Sequence, residues 1–249
     1  MIATRNLVNA PLWYDQFEMV EPAVTTRLVT VMLPSLVAAG ISFAWRGAPV
    51  LRGLDLALHT GTVTALTGPN GAGKTTLIRI LAGALEPDAG HVWLRELDAV
   101  ADRRAYLRRV GLAAAGDRGL YARLDVRANL ELAAGLAFLT GSRRRRLVAA
   151  ALERFELRPL ARRRGDRLSL GQRQRLRLAI AFLYEPEVVL LDEPTSSLDA
   201  DATRLLAGAL RELTARGGSA LWAAPAGIEP DLPTDRALVL KGGRVAAAG

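Results

Sequence analysis

The stretch that most constrains the fold is GPNGAGKTT, which occupies residues 68–76. It follows a β-branched run at 62–67 that is typical of a buried strand, and a helical pattern continues after it to Leu85. The stretch matches the pattern G-x-x-x-x-G-K-[ST] in the strand–loop–helix setting that this pattern requires. Further predicted strands at 36–45, 50–58 and 219–224 indicate an α/β chain.

The residue types indicate what this loop binds. Glycines let the backbone curl so that successive N–H groups face phosphate oxygens, and the helix N-terminus adds a partial positive charge. Lys74 would reach the β- and γ-phosphates, and the Thr75 hydroxyl would bind Mg²⁺. A glycine-rich turn that only caps a helix is the alternative. The predicted nucleoside triphosphate site consists of Gly68, Pro69, Asn70, Gly71, Ala72, Gly73, Lys74, Thr75 and Thr76.

A second group of residues lies in VVLLDEP at 188–194, an aliphatic strand that ends in two carboxylates. A strand of this kind after a phosphate-binding loop delivers a carboxylate to the Mg²⁺ shell, so we expect Asp192 to bind the metal. Glu193 follows it and is placed to act as general base on the attacking water. A solvent-facing acidic strand end would be the interpretation without the loop upstream.

Between these two groups stands LSLGQRQRLRLAIAFLYEP, residues 168–186. Ser169 is a good N-cap for an amphipathic helix. The spacing predicts one apolar face and one basic face, and the alternative is an ordinary capped surface helix. The expected apolar face carries Leu176, Ile180 and Leu183, and the expected basic face carries Arg173, Arg175 and Arg177.

In this order and spacing, the P-loop (68–76), LSLGQ, the aliphatic strand with DEPTS, and SLD at 197–199 resemble the ATP-binding cassette (ABC) subunits of transporters. The resemblance covers about 36–249. The segment 117–130 is similar to the corresponding segment of bacterial export-type cassettes. It implies an α/β fold: a P-loop NTPase core with a mixed sheet flanked by helices, an antiparallel β subdomain, and a helical signature subdomain at about 98–180.

The resemblance also implies roles for individual residues. Ser169, Gly171 and Gln172 would contact the γ-phosphate bound by the opposite subunit, and residues 197–199 would contact the partner's P-loop. Leu170 replaces the usual first glycine of that signature, which puts the close backbone approach there in question. Trp45 matches the aromatic residue that stacks on adenine, with packing in the core as the alternative.

Two departures from the family pattern concern catalysis. The glutamine expected after the strand near 110 is replaced by Ala115, Gly116 or Asp117, depending on the register. Asp117 as a substitute metal ligand and a flexible Ala-Gly loop are the two alternatives. The histidine expected at the end of the strand 219–224 is replaced by Pro225, which has no side-chain donor and no N–H. The chain's two histidines, His59 and His91, lie far from this position in the sequence.

These features predict an ATP-binding and ATP-hydrolysing subunit, using ATP and Mg²⁺, that energises a membrane permease on a separate chain. Export is the expected direction, and turnover is expected to be weak. It would act as a homodimer or as a heterodimer with a second ABC ATPase, in the cytoplasm at the inner face of the membrane. The alternatives are a nucleotide-binding regulatory subunit with little ATPase activity and a soluble cassette ATPase acting on nucleic acid or ribosomes.

Composition limits the other possibilities. The absence of cysteine excludes disulfides and thiolate chemistry. The net charge is +8, and arginine carries almost all of the positive charge. The arginine runs at 143–146 and 162–164 are interpreted as solvated faces, and contact with anionic lipid headgroups is the alternative. Nucleic acid is not an expected partner, because the arginines lack interleaved aromatic residues.

The N-terminal part of the chain differs from the rest. The apolar segment 24–40 contains Arg27 and Pro34 and is too short for a membrane span, for which about 20 apolar residues are needed. Residues 1–31 show no clear period and are interpreted as a tail that is disordered or not native, with an ordinary strand as the alternative. We expect the cassette domain at 32–249.

Overall fold

A computed structural model describes residues 34–116, 119–227 and 231–247. The proposed N-terminal tail at 1–31 and Asp117 lie outside these described residues. No helix within them is long and apolar enough to cross a lipid bilayer.

Two sheets organise the described residues. An antiparallel sheet has the order β2-β1-β4-β5, and a six-stranded mixed sheet has the order β10-β9-β3-β8-β7-β6. The strands are β1 (Pro34–Trp45), β2 (Ala48–His59), β3 (Val63–Thr67), β4 (Ala89–Leu94), β5 (Leu97–Asp98), β6 (Val110–Ala113), β7 (Val188–Asp192), β8 (Ser219–Ala223), β9 (Arg236–Lys241) and β10 (Arg244–Ala247). The helices are α1 (Lys74–Leu81), α2 (Arg103–Leu107), α3 (Val126–Leu136), α4 (Gly141–Arg154), α5 (Leu170–Phe182) and α6 (Ala200–Ala215).

The central strands of the mixed sheet are parallel and buried on both faces. β8 pairs in parallel with β3 on one side and with β7 on the other. Val189 and Leu191 pack into one apolar cluster with the helices α3–α6, while Val188 and Leu190 pack into a second with α1 and the antiparallel sheet. Continuous aliphatic strands are the expected result of covering both faces of a parallel sheet.

The strand order determines where the site lies. Because β3, β8 and β7 are neighbours and parallel, their carboxyl ends meet at one edge. The P-loop follows β3, Pro225 follows β8 closely, and Glu193 follows β7 directly. Ligands of open α/β sheets bind at this edge. The predicted fold class, an α/β P-loop core with an antiparallel sheet and a helical part, is confirmed.

Two details can be compared with the sequence-based expectations. Residues 110–113 form β6 and pair with β7, so the strand expected near 110 lies in the mixed sheet, within the range 98–180 assigned to the helical subdomain. The predicted basic face of α5 is wrong at Arg177, which is only 8% exposed, whereas Ile180 is partly exposed. A hydrogen bond from Arg177 Nη1 to the side chain of another buried residue, Gln174, offsets part of the cost of burying the guanidinium.

Candidate functional site

The P-loop lies between β3 and α1, and its own lysine donates hydrogen bonds to the first two residues of the loop. Lys74 is 6% exposed, and its Nζ donates to the carbonyl oxygens of Gly68 (2.7 Å) and Pro69 (3.0 Å). A Cβ at Gly68 would lie 2.3 Å from the carbonyl oxygen of Leu240 in β9. Glycine is therefore required at position 68 because a neighbouring strand leaves no room for a side chain.

The remaining P-loop residues shape the start of α1. Gly71 and Gly73 have φ values of 78° and 103°, which glycine adopts without cost. Ala72 donates its N–H to the Pro69 carbonyl at 3.2 Å. Pro69 and Asn70 are exposed. The loop thus presents an open, accessible turn directly before a helix N-terminus, as phosphate binding requires.

Oxygen donors meet where β7 ends. The Thr75 hydroxyl and the Ala115 N–H face the Asp192 carboxylate, which is 2% exposed. Burial raises the pKa of Asp192, and the Thr75 hydroxyl, the Ala115 N–H and the Lys74 ammonium oppose this shift. Its Oδ1 has no hydrogen-bond partner among the described residues. Buried carboxylate and hydroxyl oxygens of this kind fit Mg²⁺.

Glu193 has an unusual backbone conformation for a residue with a side chain. Its φ is 50°, in the left-handed region, and it is half-buried. Its N–H donates to the Ala223 carbonyl of β8 at 2.9 Å, which ties Glu193 to the neighbouring strand. Such a conformation persists only where surrounding contacts hold it.

Pro225 lies two residues after the end of β8, beside β3 and the P-loop. On either side of it, Ala224 donates its N–H to the Leu66 carbonyl and Ala226 donates its N–H to the Gly68 carbonyl, both at 3.1 Å. The position is therefore beside the P-loop and close in the sheet to Glu193, yet proline contributes no donor there. The histidines lie elsewhere: His59 contacts Arg236, and His91 contacts Asp98.

One of the three positions at which the resemblance expected a glutamine lies beside the carboxylate at the end of β7. The N–H of Ala115 faces Asp192. The methyl side chain of Ala115 offers neither a metal ligand nor a hydrogen-bond donor. Of the other two positions, Gly116 has no side chain and Asp117 lies outside the described residues.

Trp45 stands beside the P-loop at the end of β1. Its indole Nε1 donates to the Thr76 hydroxyl at 3.3 Å, and its ring packs edge-on against Phe43 with centroids 4.9 Å apart. The side chain remains 47% exposed. It combines the core contact and the free ring surface that were the two alternatives for this residue.

The signature residues form a complete capping box at the start of α5. The Ser169 hydroxyl accepts from the Gln172 N–H at 3.2 Å, and the Gln172 Oε1 accepts from the Ser169 N–H at 3.1 Å. Ser169 is exposed, and Leu170 is 61% exposed. Among the described residues, no hydrogen bond joins them to the P-loop of the same chain, and they form an exposed helix N-terminus.

One polar residue of this region was missed at the sequence level. Gln174 is 3% exposed and contacts the segment after Glu193. The sequence signal that could have indicated Gln174 is its position three residues after Gly171, which places both residues on the same face of the helix.

Comparison with known proteins identifies the family. The family model described as "ABC transporter" matches residues 51–196, more than half of the chain. The chain therefore belongs to the ABC transporter family, and it carries the ATP-binding domain of that family.

Several relatives of known name are similar to it. Daunorubicin resistance ATP-binding protein DrrA3 of Streptomyces coeruleorubidus is 40% identical over 80% of this chain and 63% of its own length. The probable multidrug ABC transporter ATP-binding protein YbhF of Escherichia coli is 40% identical over 70% of this chain and 30% of its own. This chain thus spans less than two thirds of the length of each of these two relatives. Nickel import ATP-binding protein NikO of Rhodobacter capsulatus is 37% identical over 88% of this chain and 90% of its own.

Solved structures agree. The ATP-binding subunit of an ABC transporter superposes with a TM-score of 0.78 and 28% identity, over 86% of this chain and 89% of that one. A dimeric ATP-binding cassette bound to ADP and Pi shares the fold, with a TM-score of 0.74 and 22% identity over 86% of this chain and 99% of that one.

Proposed function

We propose that this chain is the ATP-hydrolysing subunit that energises a separate membrane permease, and that its own site turns over slowly. One observation carries the proposal. The groups proposed to bind phosphate and metal lie at the carboxyl ends of β3 and β7, while Pro225, just after the intervening strand β8, supplies no side-chain donor.

Each residue has a proposed role in hydrolysis. Gly68–Thr76 backbone amides and Lys74 would hold the triphosphate, and the exposed ring of Trp45 would stack on the base. Thr75 and Asp192 would hold Mg²⁺, which when bound neutralises charge on the phosphate oxygens. Glu193 would accept the proton of the attacking water as general base.

Slow turnover follows from two missing side chains. A preorganised donor at a site of developing charge is worth on the order of 10²–10³ in rate, and proline supplies none at position 225. Ala115 faces Asp192 with its backbone N–H, and its methyl side chain cannot orient a metal ligand or a water. ATP binding depends on the P-loop and should be retained.

The proposed partners follow from the exposed signature. Ser169, Gly171 and Gln172 would contact the nucleotide of a second cassette, in a homodimer or in a heterodimer whose other member has an intact site. The permease would hold the chain at the cytoplasmic face of the membrane. We propose export, on the resemblance of residues 117–130 to export-type cassettes; relatives named for nickel and Fe(3+) import make import the alternative.

The deciding experiment compares Mg-ATP hydrolysis by the purified chain with hydrolysis by Pro225→His, with ATP binding measured in both. Faster turnover in the variant, by tenfold or more at equal ATP affinity, supports the slow-site proposal. Brisk turnover by the native chain with no gain in the variant refutes it and leaves an ordinary transport ATPase.

A second candidate is a nucleotide-binding regulatory subunit. It is favoured by the combination of Pro225 and Ala115, which removes two polar side chains from one site. In the same assay it predicts ATP binding without measurable turnover in both the native chain and the variant.

A further inference from the structure

Gln174 is a buried amide whose two ends are both engaged. It lies in α5 and is 3% exposed. Its Nε2 donates to the Pro194 carbonyl oxygen at 2.9 Å, and its Oε1 accepts from Arg177 Nη1 at 2.7 Å. The arginine can only donate, so the orientation of the amide is fixed with its NH₂ group toward Pro194.

The carbonyl that Gln174 holds belongs to the residue after Glu193. Glu193 adopts a φ of 50°, which costs free energy for a residue with a side chain. Its backbone is held on one side by its N–H to the Ala223 carbonyl (2.9 Å) and on the other by the Ser196 N–H to its own carbonyl (3.3 Å). The bond from Gln174 to Pro194 is the contact that α5 adds to this set.

A second contact joins the same helix to the same segment. A Cβ at Gly171 would lie 3.1 Å from the Ser197 carbonyl oxygen, so the helix backbone approaches this segment closely. Positions 171 and 174 share one face of a helix. The first turns of α5 therefore pack against the segment 194–197 at two positions. These contacts link the N-terminus of α5, with its exposed Ser169, to the segment that directly follows Glu193.

We infer that Gln174 is a positioning residue that sets the backbone of Glu193 and couples it to the N-terminus of α5. The inference rests on the proposed role of Glu193 as general base.

The test uses two substitutions that distinguish the hydrogen bond from Gln174 to Pro194 from the volume of the Gln174 side chain. Gln174→Leu keeps a similar volume and removes both hydrogen bonds, whereas Gln174→Glu keeps an acceptor for Arg177 and replaces the donor to Pro194 with a carboxylate oxygen. Because misplacing a catalytic group by about 1 Å costs up to 10²-fold, we expect kcat to fall on the order of 10- to 100-fold in both, with KM for ATP unchanged.

Asn129→Ser provides the matched control. Asn129 is a buried amide (2% exposed) that holds backbone carbonyls in the same helical part of the chain, far along the sequence from Glu193. It should lower the thermal unfolding temperature without lowering kcat. An equal fall of kcat in Asn129→Ser and in the Gln174 variants overturns the inference, as does a Gln174 variant with native kcat.

A double-mutant cycle separates this inference from the proposed function. If Gln174 acts through Glu193, adding Gln174→Leu to Glu193→Gln causes no further loss of turnover, and an additive loss overturns the positioning role. Unchanged turnover in Glu193→Gln alone refutes instead the general-base assignment and, with it, the connection built on that residue.

Discussion

Replacing Gly68 by alanine tests the packing of the P-loop against β9. The added Cβ would lie 2.3 Å from the Leu240 carbonyl oxygen, about 1 Å short of ordinary contact, and the obstacle is backbone that cannot rotate away. Either the loop or β9 must move. Forced overpacking of this kind costs about 1–3 kcal/mol, equivalent to a fall of roughly 2–12 °C in the unfolding temperature for a chain of this size.

Gly71→Ala is the control for that experiment. Gly71 has a φ of 78°, and a Cβ there would meet nothing within 4 Å, so only the cost of the left-handed conformation remains, about 1 kcal/mol. We expect Gly68→Ala to unfold at the lower temperature in calorimetry and to bind ATP more weakly in a titration. Equal unfolding temperatures and native ATP affinity in both variants would refute the packing argument.

Two further predictions concern charged groups. Lys74→Ala should abolish measurable ATP binding, because the P-loop loses its only lysine cation, while Lys241→Ala, which alters the chain's other, exposed lysine, should bind as the native chain does. Burial, and secondarily Arg236, lower the pKa of His59, so the unfolded chain binds the proton more readily than the folded one. Stability should therefore fall as the pH drops below about 6.5, the ordinary pKa of histidine. Chemical denaturation of His59→Asn at several pH values should show a weaker pH dependence; an identical dependence in both proteins would contradict the assignment.

The local elements of the site could be predicted from the sequence. The P-loop, the strand leading to Asp192 and the capping box of Ser169 and Gln172 are each specified by residues within a few positions of one another. Their hydrogen bonds and dihedral preferences are short-range, so the spacing of residue types predicts them without knowledge of the rest of the chain.

The arrangement of those elements was decided by tertiary structure. The order β3-β8-β7 places Pro225 between the P-loop and Glu193, and a pairing between β6 and β7 brings the Ala115 N–H to Asp192. Neither the position of Pro225 nor that of the Ala115 N–H follows from a periodic pattern in the sequence. Strands far apart in the sequence pair according to how well their buried faces fit.

Arg177 and Gln174 show the same limit within one helix. Helical periodicity predicted a solvated arginine, but burial depends on which neighbouring surface covers each side of the helix. The sequence by itself predicted which groups would bind phosphate and metal. The tertiary structure decided which backbone holds Glu193, since the contacts at Ala223 and Pro194 join residues from β8 and α5 that only packing brings together.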